Sequence, residues 1–285
     1  MPSNIGLWKL GSSRDKPFAL QEIHLDLAVT DLNAVSLATP GGVYTTFRTY
    51  EGSKILPLDD QITRLEESAR LIGTSLCLDE AILRAALRQV LERFPAKEMR
   101  LRLTIDLERE PSATYIALER LETPSEAEYA NGVWVVTTPL VRHNPKSKRT
   151  AFLSIAEAIR DQLPEAVHEA LLVGEGGQIL EGLSSNFFAI RSGEIWTAEE
   201  GVLSGITRAI VLEEIQKEQL PVEFQGFCMI NLWTLDEAFI TSSSRSILPI
   251  NRIDQIPIGS GKPGPITRLL MQKYWQAIQS RLIEI

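Results

Sequence analysis

The sequence predicts a mixed fold of the α+β or α/β class. Apolar and polar side chains alternate over residues 43–50, as they do in a half-buried strand. Over residues 62–72 the apolar residues instead recur at the spacing of one helix face. Both patterns return in the second half, which argues against an all-helical protein. With 285 residues and 44% apolar composition, the chain can form one large domain or two modest ones.

Helix signals and strand signals divide the first half. A helix is expected to begin at residues 57–60, because Asp59 and Asp60 suit the positive end of a helix dipole, and to stop at Gly73. A second helix is expected at 79–94. Strands are expected at 43–50, 99–106, 113–119 and 132–139.

The polar segment 121–132 contains Pro and Gly and little to bury, so it is interpreted as a linker region. The predicted division is a small domain at 1–122, a linker at 123–132 and a large domain at 133–285. The large domain is expected to hold helices near 150–161, 206–218 and 265–283, and strands at 168–173, 178–181, 186–190 and 194–197.

Charge and composition narrow the partners and the compartment. A net charge of −8 and a pI near 5.1 argue against nucleic acid, which needs clustered Lys and Arg. No stretch reaches the roughly 20 apolar residues of a membrane span, and no leader pattern is evident. Cys77 and Cys228 lie far apart, which favours a reducing compartment over a disulfide framework. A cytoplasmic protein is expected.

Two motifs in the second half carry the most functional information. The first is ILEGLSSNFFAI at 179–190 and the second is LSGITRAIVLEEI at 203–215. Both resemble the fold-type IV pyridoxal phosphate (PLP) enzymes, which comprise branched-chain and D-amino acid aminotransferases and aminodeoxychorismate lyase. The matching residues are Glu181, Ser184, Ser185, Asn186, Phe188, Gly205, Ile206, Thr207 and Arg208. The resemblance also covers segments 41–52, 62–73, 240–250 and 264–270, and hence nearly the whole chain.

The resemblance implies a two-domain architecture and a cofactor. It implies a small α/β domain and a larger, barrel-like domain with PLP held between them. Members of this family are usually homodimers, so a homodimer is expected. Amino acids or amines and keto acids are the expected small-molecule partners.

PLP catalysis requires a lysine amine that forms a Schiff base with the cofactor and moves a proton at the substrate Cα. Lys148 is the best match, since it stands thirty-three residues before Glu181 and the family spacing is a little over thirty. Lys146 is a rival, and both lysines would suit a solvated basic loop. Glu181 matches the carboxylate that keeps the pyridine nitrogen protonated, although an isolated Glu at a strand end is usually only a solvated charge.

The cofactor phosphate needs backbone N–H groups, hydroxyl donors and a cation. Gly205, Ile206 and Thr207 match the helix start that supplies the first two, although such a sequence also serves as an ordinary helix start. Arg64 matches the phosphate arginine of the family, and a surface arginine paired with Glu66 or Glu67 is the plain alternative. Ser185 and Asn186 are assigned to the cofactor with the first motif, as is Ser243 in the turn ITSSSRSI.

The substrate side is less specific. Tyr44, Thr46 and Arg48 alternate along one strand, so all three are expected to face one way. Three arginines compete to bind a substrate carboxylate, namely Arg48, Arg102 and Arg245. Ser244, next to Ser243, is assigned to the substrate as well.

Several positions depart from the family pattern. Thr39–Gly42 replaces a usual Gly-Asp-Gly, residues 106–108 replace an Arg-Gly, and Ala151 and Phe152 stand where Asn or Tyr is common. These departures affect the substrate side more than the cofactor side, so PLP binding is the safer expectation.

The expected activity is an aminotransferase. One alternative is aminodeoxychorismate lyase, because the residues Tyr-Thr-Thr-Phe-Arg at 44–48 resemble a string of that enzyme. The other is a dimeric PLP-binding module with little catalysis. No metal site is expected, because His24, His143 and His168 show no ligand spacing with the two cysteines. The GxGxxG at 259–264 follows no buried strand and is interpreted as a turn.

Overall fold

The structure is a computed structural model that describes residues 5–11, 18–26, 29–94, 96–110 and 113–285. The chain forms two compact units. The first contains residues 1–122, 147–157 and 281–285, and the second contains residues 123–146 and 158–280. No helix among the described residues is long and apolar enough to cross a membrane.

The first unit is an antiparallel sheet with helices. Its elements are β1 (Ile5–Gly11), β2 (Ala19–Glu22), α1 (Leu32–Ala38), β3 (Gly42–Arg48), β4 (Lys54–Ile55), α2 (Asp59–Arg70), α3 (Glu80–Arg93), β5 (Met99–Asp106) and β6 (Thr114–Arg120). Five of the strands pair in the order β2-β1-β6-β5-β3. Side chains from β3, β5 and both long helices form its core, including Phe47, Leu65, Leu87 and Leu101.

The predicted helices and strands of this unit are confirmed, with ends that differ by up to two residues. The acidic residues Asp59 and Asp60 do occupy the first turn of α2. Asp79 caps α3 by accepting a hydrogen bond from the N–H of Ile82 at 3.0 Å. The elements β1, β2, α1 and β4 were not predicted. Short, weakly periodic stretches such as these carry little signal of their own.

The second unit is built around a closed sheet. Its elements are α4 (Glu126–Asn131), β7 (Val133–Thr138), α5 (Ala151–Arg160, which begins in the first unit), β8 (Glu169–Val173), β9 (Gln178–Gly182), β10 (Asn186–Arg191), β11 (Glu194–Trp196), α6 (Ile206–Lys217), β12 (Val222–Glu223), β13 (Phe227–Cys228), a 3-10 helix (Met229–Thr234), β14 (Glu237–Ser242), β15 (Ser246–Ile253), β16 (Ile256–Pro257) and α7 (Pro265–Arg281).

Six strands pair in the order β10-β14-β15-β7-β8-β9, and β9 pairs again with β10 through Glu181 and Asn186. The ring of strands is therefore closed, and the barrel-like sheet implied by the resemblance is confirmed. The closing pair also brings two residues of the first motif directly opposite each other.

Short-range capping explains a helix inside the predicted linker segment. Ser125 accepts a hydrogen bond from the N–H of Glu128, and the Glu128 carboxylate accepts one from the N–H of Ser125 at 2.7 Å. This is a capping box of the S-x-x-E type, and it begins α4. The sequence contains the signal, but the polar composition of the segment outweighed it in our prediction.

Segments from late in the chain complete the first unit. The last strand, β17 (Ile283–Glu284), pairs with β4. Thr150 donates its N–H to the Gly42 carbonyl at 2.9 Å. A side chain at Gly42 would place its Cβ 1.9 Å from the Ile105 carbonyl oxygen, so the first position of β3 requires glycine.

Candidate functional site

Backbone hydrogen bonds fix the segment that carries Lys148 within the first unit. The Lys148 carbonyl accepts from the N–H of Tyr44 at 2.9 Å, and its own N–H donates to the Ser68 hydroxyl at 3.1 Å. Ser147 donates its hydroxyl to the Ser68 carbonyl at 3.0 Å. The Lys148 Nζ lies 5.0 Å from the centroid of the Tyr44 ring, within reach of a cation–π contact. The amine is therefore held near a defined aromatic face.

Lys146 has a different environment. Its side chain is 50% exposed, and its Nζ contacts the carboxylate of Glu200 at 3.3 Å. An exposed pair of this kind is typical of a solvated loop. The two candidate lysines are thus separated by their surroundings, in favour of Lys148.

Arg64 lies on α2, one helical turn before Ser68. Residues four apart share one helix face, so Arg64 and the serine that bonds to Lys148 lie on the same face. The same helix is joined to β3, because Thr45 donates its hydroxyl to Gln61 at 2.5 Å. The predicted phosphate arginine and the predicted catalytic lysine therefore belong to one connected part of the first unit.

A buried arginine accompanies these residues. The Arg102 Nε donates to the Thr46 hydroxyl at 3.1 Å, and its Nη2 donates to the side-chain amide oxygen Oδ1 of Asn33 at 3.1 Å. Its Nη1 donates to the Ser36 hydroxyl at 2.7 Å and to the Leu32 carbonyl at 2.9 Å. All of these acceptors are neutral. In the described part of the chain, no carboxylate is in ion-pair contact with Arg102.

The electrostatics of Arg102 follow from this burial. Desolvation lowers its pKa to about 10, and the charge of Arg100 acts in the same direction. The guanidinium still carries its proton at neutral pH. It also lies 4.8 Å from the centroid of the Tyr44 ring, so Arg102 and Lys148 share one aromatic neighbour.

Arg48 differs from its neighbours on β3. Tyr44 and Thr46 both contact Arg102, whereas Arg48 forms an ion pair with Glu98 and lies 4.7 Å from the Tyr50 ring centroid. Tyr44 and Thr46 are therefore brought together. Arg48 instead contacts Glu98, whose carboxylate balances its charge.

In the second unit, Glu181 is buried at the end of β9. Its carboxylate accepts from the N–H of Leu203 at 2.9 Å and lies 3.5 Å from the guanidinium of Arg142. Asn186, opposite Glu181 in the sheet, donates its side-chain amide to the Leu203 carbonyl at 2.8 Å. The two sequence motifs are thus joined through Leu203.

Gly205 is the N-cap residue of α6 and follows Leu203 by two residues. No side chain caps it, so the first N–H groups of Ile206 and Thr207 have no capping acceptor from this residue. A Cβ at Gly205 would lie 2.0 Å from the Asn186 Oδ1, so a larger residue there would displace the Asn186 side chain. Arg208 is buried and donates to the Ala198 carbonyl at 2.9 Å, which anchors the first turn. The arrangement has the chemistry of an anion site at a helix N-terminus.

The turn between β14 and β15 carries Ser243, Ser244 and Arg245. The Arg245 Nη2 donates to the buried Glu169 carboxylate at 2.8 Å and to the Ser184 hydroxyl at 2.8 Å. Glu169 also accepts from the Ser185 hydroxyl at 3.2 Å. Glu169, which was not predicted as a site residue, therefore connects this turn with the first motif.

Sequence reasoning missed several residues that support the predicted ones. Ser68 could have been found from its i, i+4 relation to Arg64, since both share a helix face. The others have no local signal, because they reach their partners across the fold; they are Asn33, Ser36, Arg142 and Glu169.

The donor set fits PLP chemically. Taken separately, the first unit holds a lysine amine and a helical arginine, and the second unit holds a buried carboxylate and a helix N-terminus. These are the groups that the amine-reactive carbon, the pyridine nitrogen and the phosphate of this cofactor require.

Comparison with known proteins gives the family. The sequence profile described as "Amino-transferase class IV" matches residues 42–253, which is most of the chain. The chain belongs to the class IV aminotransferases. It is therefore a PLP-dependent enzyme that transfers an amino group between amino acids and keto acids, as the sequence predicted.

Individual relatives agree with this membership. The chain is 30% identical over 239 residues to a D-alanine aminotransferase of Bacillus licheniformis, covering 80% of this chain and 84% of the relative. It is 27% identical over 249 residues to a Thermotoga maritima protein named "Probable branched-chain-amino-acid aminotransferase", covering 86% of this chain and 89% of that protein. A solved branched-chain amino acid aminotransferase with pyridoxamine 5'-phosphate shares the fold, with a TM-score of 0.77, 23% identity and 98% coverage of both chains.

Proposed function

We propose that Lys148 is the catalytic lysine of this aminotransferase. Its support is the contrast between a backbone-anchored amine beside Tyr44 and the exposed, ion-paired Lys146. PLP, when bound, supplies an electron sink for the carbanion formed at the substrate Cα. Lys148 would hold the cofactor through its amine, and the same amine, once released by the amino donor, would accept the proton from the donor Cα.

The visible absorption spectrum with added PLP tests this assignment. Wild type is expected to show the band of lysine-bound cofactor and to lose it when amino donors are added. Lys148→Ala is expected to lack the band or to show an altered one, and to lose at least about 100-fold in kcat, as general acid–base contributions suggest. Lys146→Ala is the matched control and should behave as wild type. A Lys148→Ala protein with the wild-type band and turnover would exclude Lys148.

The proposed cofactor contacts follow from the local geometry. Glu181 is proposed to pair with the pyridine nitrogen, because the Leu203 N–H and Arg142 hold its buried carboxylate in a defined position. Ile206 and Thr207 offer their N–H groups to the phosphate at the uncapped N-terminus that Gly205 opens. The further contacts proposed are from Arg64, Ser185, Asn186 and Ser243.

Arg102 is the proposed binding residue for the substrate carboxylate. Arg48 and Arg245 each have a glutamate partner, while Arg102 contacts only neutral acceptors and retains one N–H of Nη2. Burial lowers the pKa of Arg102, and a nearby anion would stabilise its charged form. Tyr44 and Thr46 both contact Arg102 and are proposed to bind the substrate beside it. Ser244 is proposed as a further substrate contact.

The donor is proposed to be a small or branched aliphatic amino acid. This is the chemistry shared by the names of the relatives, D-alanine and branched-chain aminotransferases. A panel of both enantiomers of alanine, valine and leucine with a keto acid acceptor decides the stereochemistry. Pyruvate release from aminodeoxychorismate would instead indicate the lyase, and bound PLP without either reaction would indicate a binding module.

A homodimer is also proposed. In addition to the family resemblance, the 3-10 helix exposes Ile230 and Trp233 to 76% and 74%, which is costly unless another surface covers them. Light scattering of the purified protein is expected to give twice the chain mass of 31.8 kDa.

A cytoplasmic location is proposed from the free thiols of Cys77 and Cys228, and cell fractionation tests it.

A further inference from the structure

Two turns of the second unit carry residues that were assigned above to the cofactor. Residues 183–185 connect β9 to β10, and residues 243–245 connect β14 to β15. Backbone pairing between β10 and β14 ends at Asn186 and Thr241, so both turns lie just beyond the last backbone pair. Side chains must supply any link between them.

Arg245 makes that link. Its Nη2 donates to the Ser184 hydroxyl at 2.8 Å in one turn, and its Nε donates to the Ser242 hydroxyl at 3.1 Å at the base of the other. Its carbonyl accepts from the Tyr129 hydroxyl at 2.9 Å. One side chain therefore contacts both turns while its backbone is anchored to α4.

Glu169 is the anchor of this contact. Its side chain is 1% exposed and receives Arg245, the Ser184 hydroxyl at 2.9 Å and the Ser185 hydroxyl at 3.2 Å. Burial alone would raise the pKa of Glu169, but the charges of Arg245 and Arg160 outweigh it and hold the pKa below its usual range. The carboxylate is thus charged at neutral pH and needs its partners.

We propose that the Glu169–Arg245 ion pair is a positioning device, which holds the turn of Ser185 against the turn of Ser243 and thereby sets the affinity for the cofactor phosphate. The inference rests on the proposed cofactor roles of these two serines. It also gives Arg245 a role other than binding a substrate carboxylate, since its charge is already balanced within the protein.

The test compares the binding of pyridoxamine 5'-phosphate and of pyridoxamine to the cofactor-free, full-length protein. These two ligands differ only in the phosphate and need no bond to Lys148. Glu169→Gln, Arg245→Lys and Arg245→Met are expected to weaken pyridoxamine 5'-phosphate by about 10- to 100-fold and pyridoxamine by less than about 3-fold. Arg245→Lys keeps the charge without the planar fork, so its effect should be the smallest.

Arg252→Met is the matched control. Arg252 lies on β15, the strand that follows the turn of Ser243. Its guanidinium packs 3.6 Å from the Trp134 ring centroid, and no ion pair joins it to Glu169 among the described residues. Both ligands should bind this variant as they bind wild type. Circular dichroism confirms that each variant is folded, and Glu169→Gln and Arg245→Lys decide the matter if Arg245→Met does not fold.

The inference is overturned if the variants keep the wild-type ratio of the two affinities, or if both ligands weaken by the same factor. A failure of the proposed function looks different. In that case wild type itself would bind neither ligand, or would bind the two equally, whatever the variants do.

Discussion

Arg102 in the first unit and Arg245 in the second are both candidate site residues, but their charges are balanced differently. Arg245 lies 2.8 Å from a buried glutamate, while Arg102 is surrounded by hydroxyls, an amide oxygen and a carbonyl. A buried charge that is already paired has little attraction left for a ligand, whereas an unpaired one favours any anion that reaches it. The comparison therefore supports the proposed positioning role of Arg245 in the second unit and the proposed binding role of Arg102 in the first.

The largest expected effect is on stability and concerns the paired arginine. Arg245→Met leaves the Glu169 carboxylate buried without its main cation, which should lower the free energy of unfolding by about 3–5 kcal/mol. Urea unfolding measures this change. The double variant Glu169→Gln/Arg245→Met removes both charges and should recover most of the loss. If the double variant is as unstable as the single one, the pair is not coupled and the comparison fails.

The next effect is on catalysis and concerns the unpaired arginine. Arg102→Met should raise the KM for the amino donor by about 10- to 150-fold with a smaller change in kcat, as expected for loss of a charged hydrogen bond worth about 1.5–3 kcal/mol. Arg48→Met is the informative comparison, because Arg48 is paired with Glu98 and should affect KM much less. Arg84→Met removes a surface ion pair and serves as the neutral control. An unchanged KM in Arg102→Met would exclude the binding role.

The two arginines also show what a sequence can and cannot reveal. Glu181 and the Gly205–Thr207 helix start could be proposed as site residues because each belongs to a short sequence motif, and Lys148 could be proposed from its spacing to Glu181. The helices and strands that were predicted end within two residues of the observed ones because their periodicity is local, whereas β14 and β15 were not predicted. Arg102 and Arg245 were recognised only as two of three candidates for one role. What distinguishes them is the nearest carboxylate, and Glu169 lies 76 positions from Arg245 along the chain. Contacts at that separation leave no periodic trace, so charge balance could be assigned only from the folded structure.

The smallest expected effect makes the first unit resemble the second. The Asn33 Oδ1 lies 3.1 Å from the Arg102 Nη2, and the Asn33 amide donates to the Glu157 carboxylate at 3.1 Å. Asn33→Asp in a Glu157→Gln background places a carboxylate against Arg102 and preserves the hydrogen bond, since the new glutamine can donate to the new aspartate.

A built-in carboxylate then competes with that of the substrate. The donor KM should rise by about 3- to 10-fold, which corresponds to about 0.7–1.4 kcal/mol, without a fall in the free energy of unfolding. Glu157→Gln alone is the control and should leave KM near the wild-type value. If the double variant binds donor as well as wild type does, the unpaired charge of Arg102 is not what attracts the substrate, and the contrast between the two arginines has no catalytic meaning.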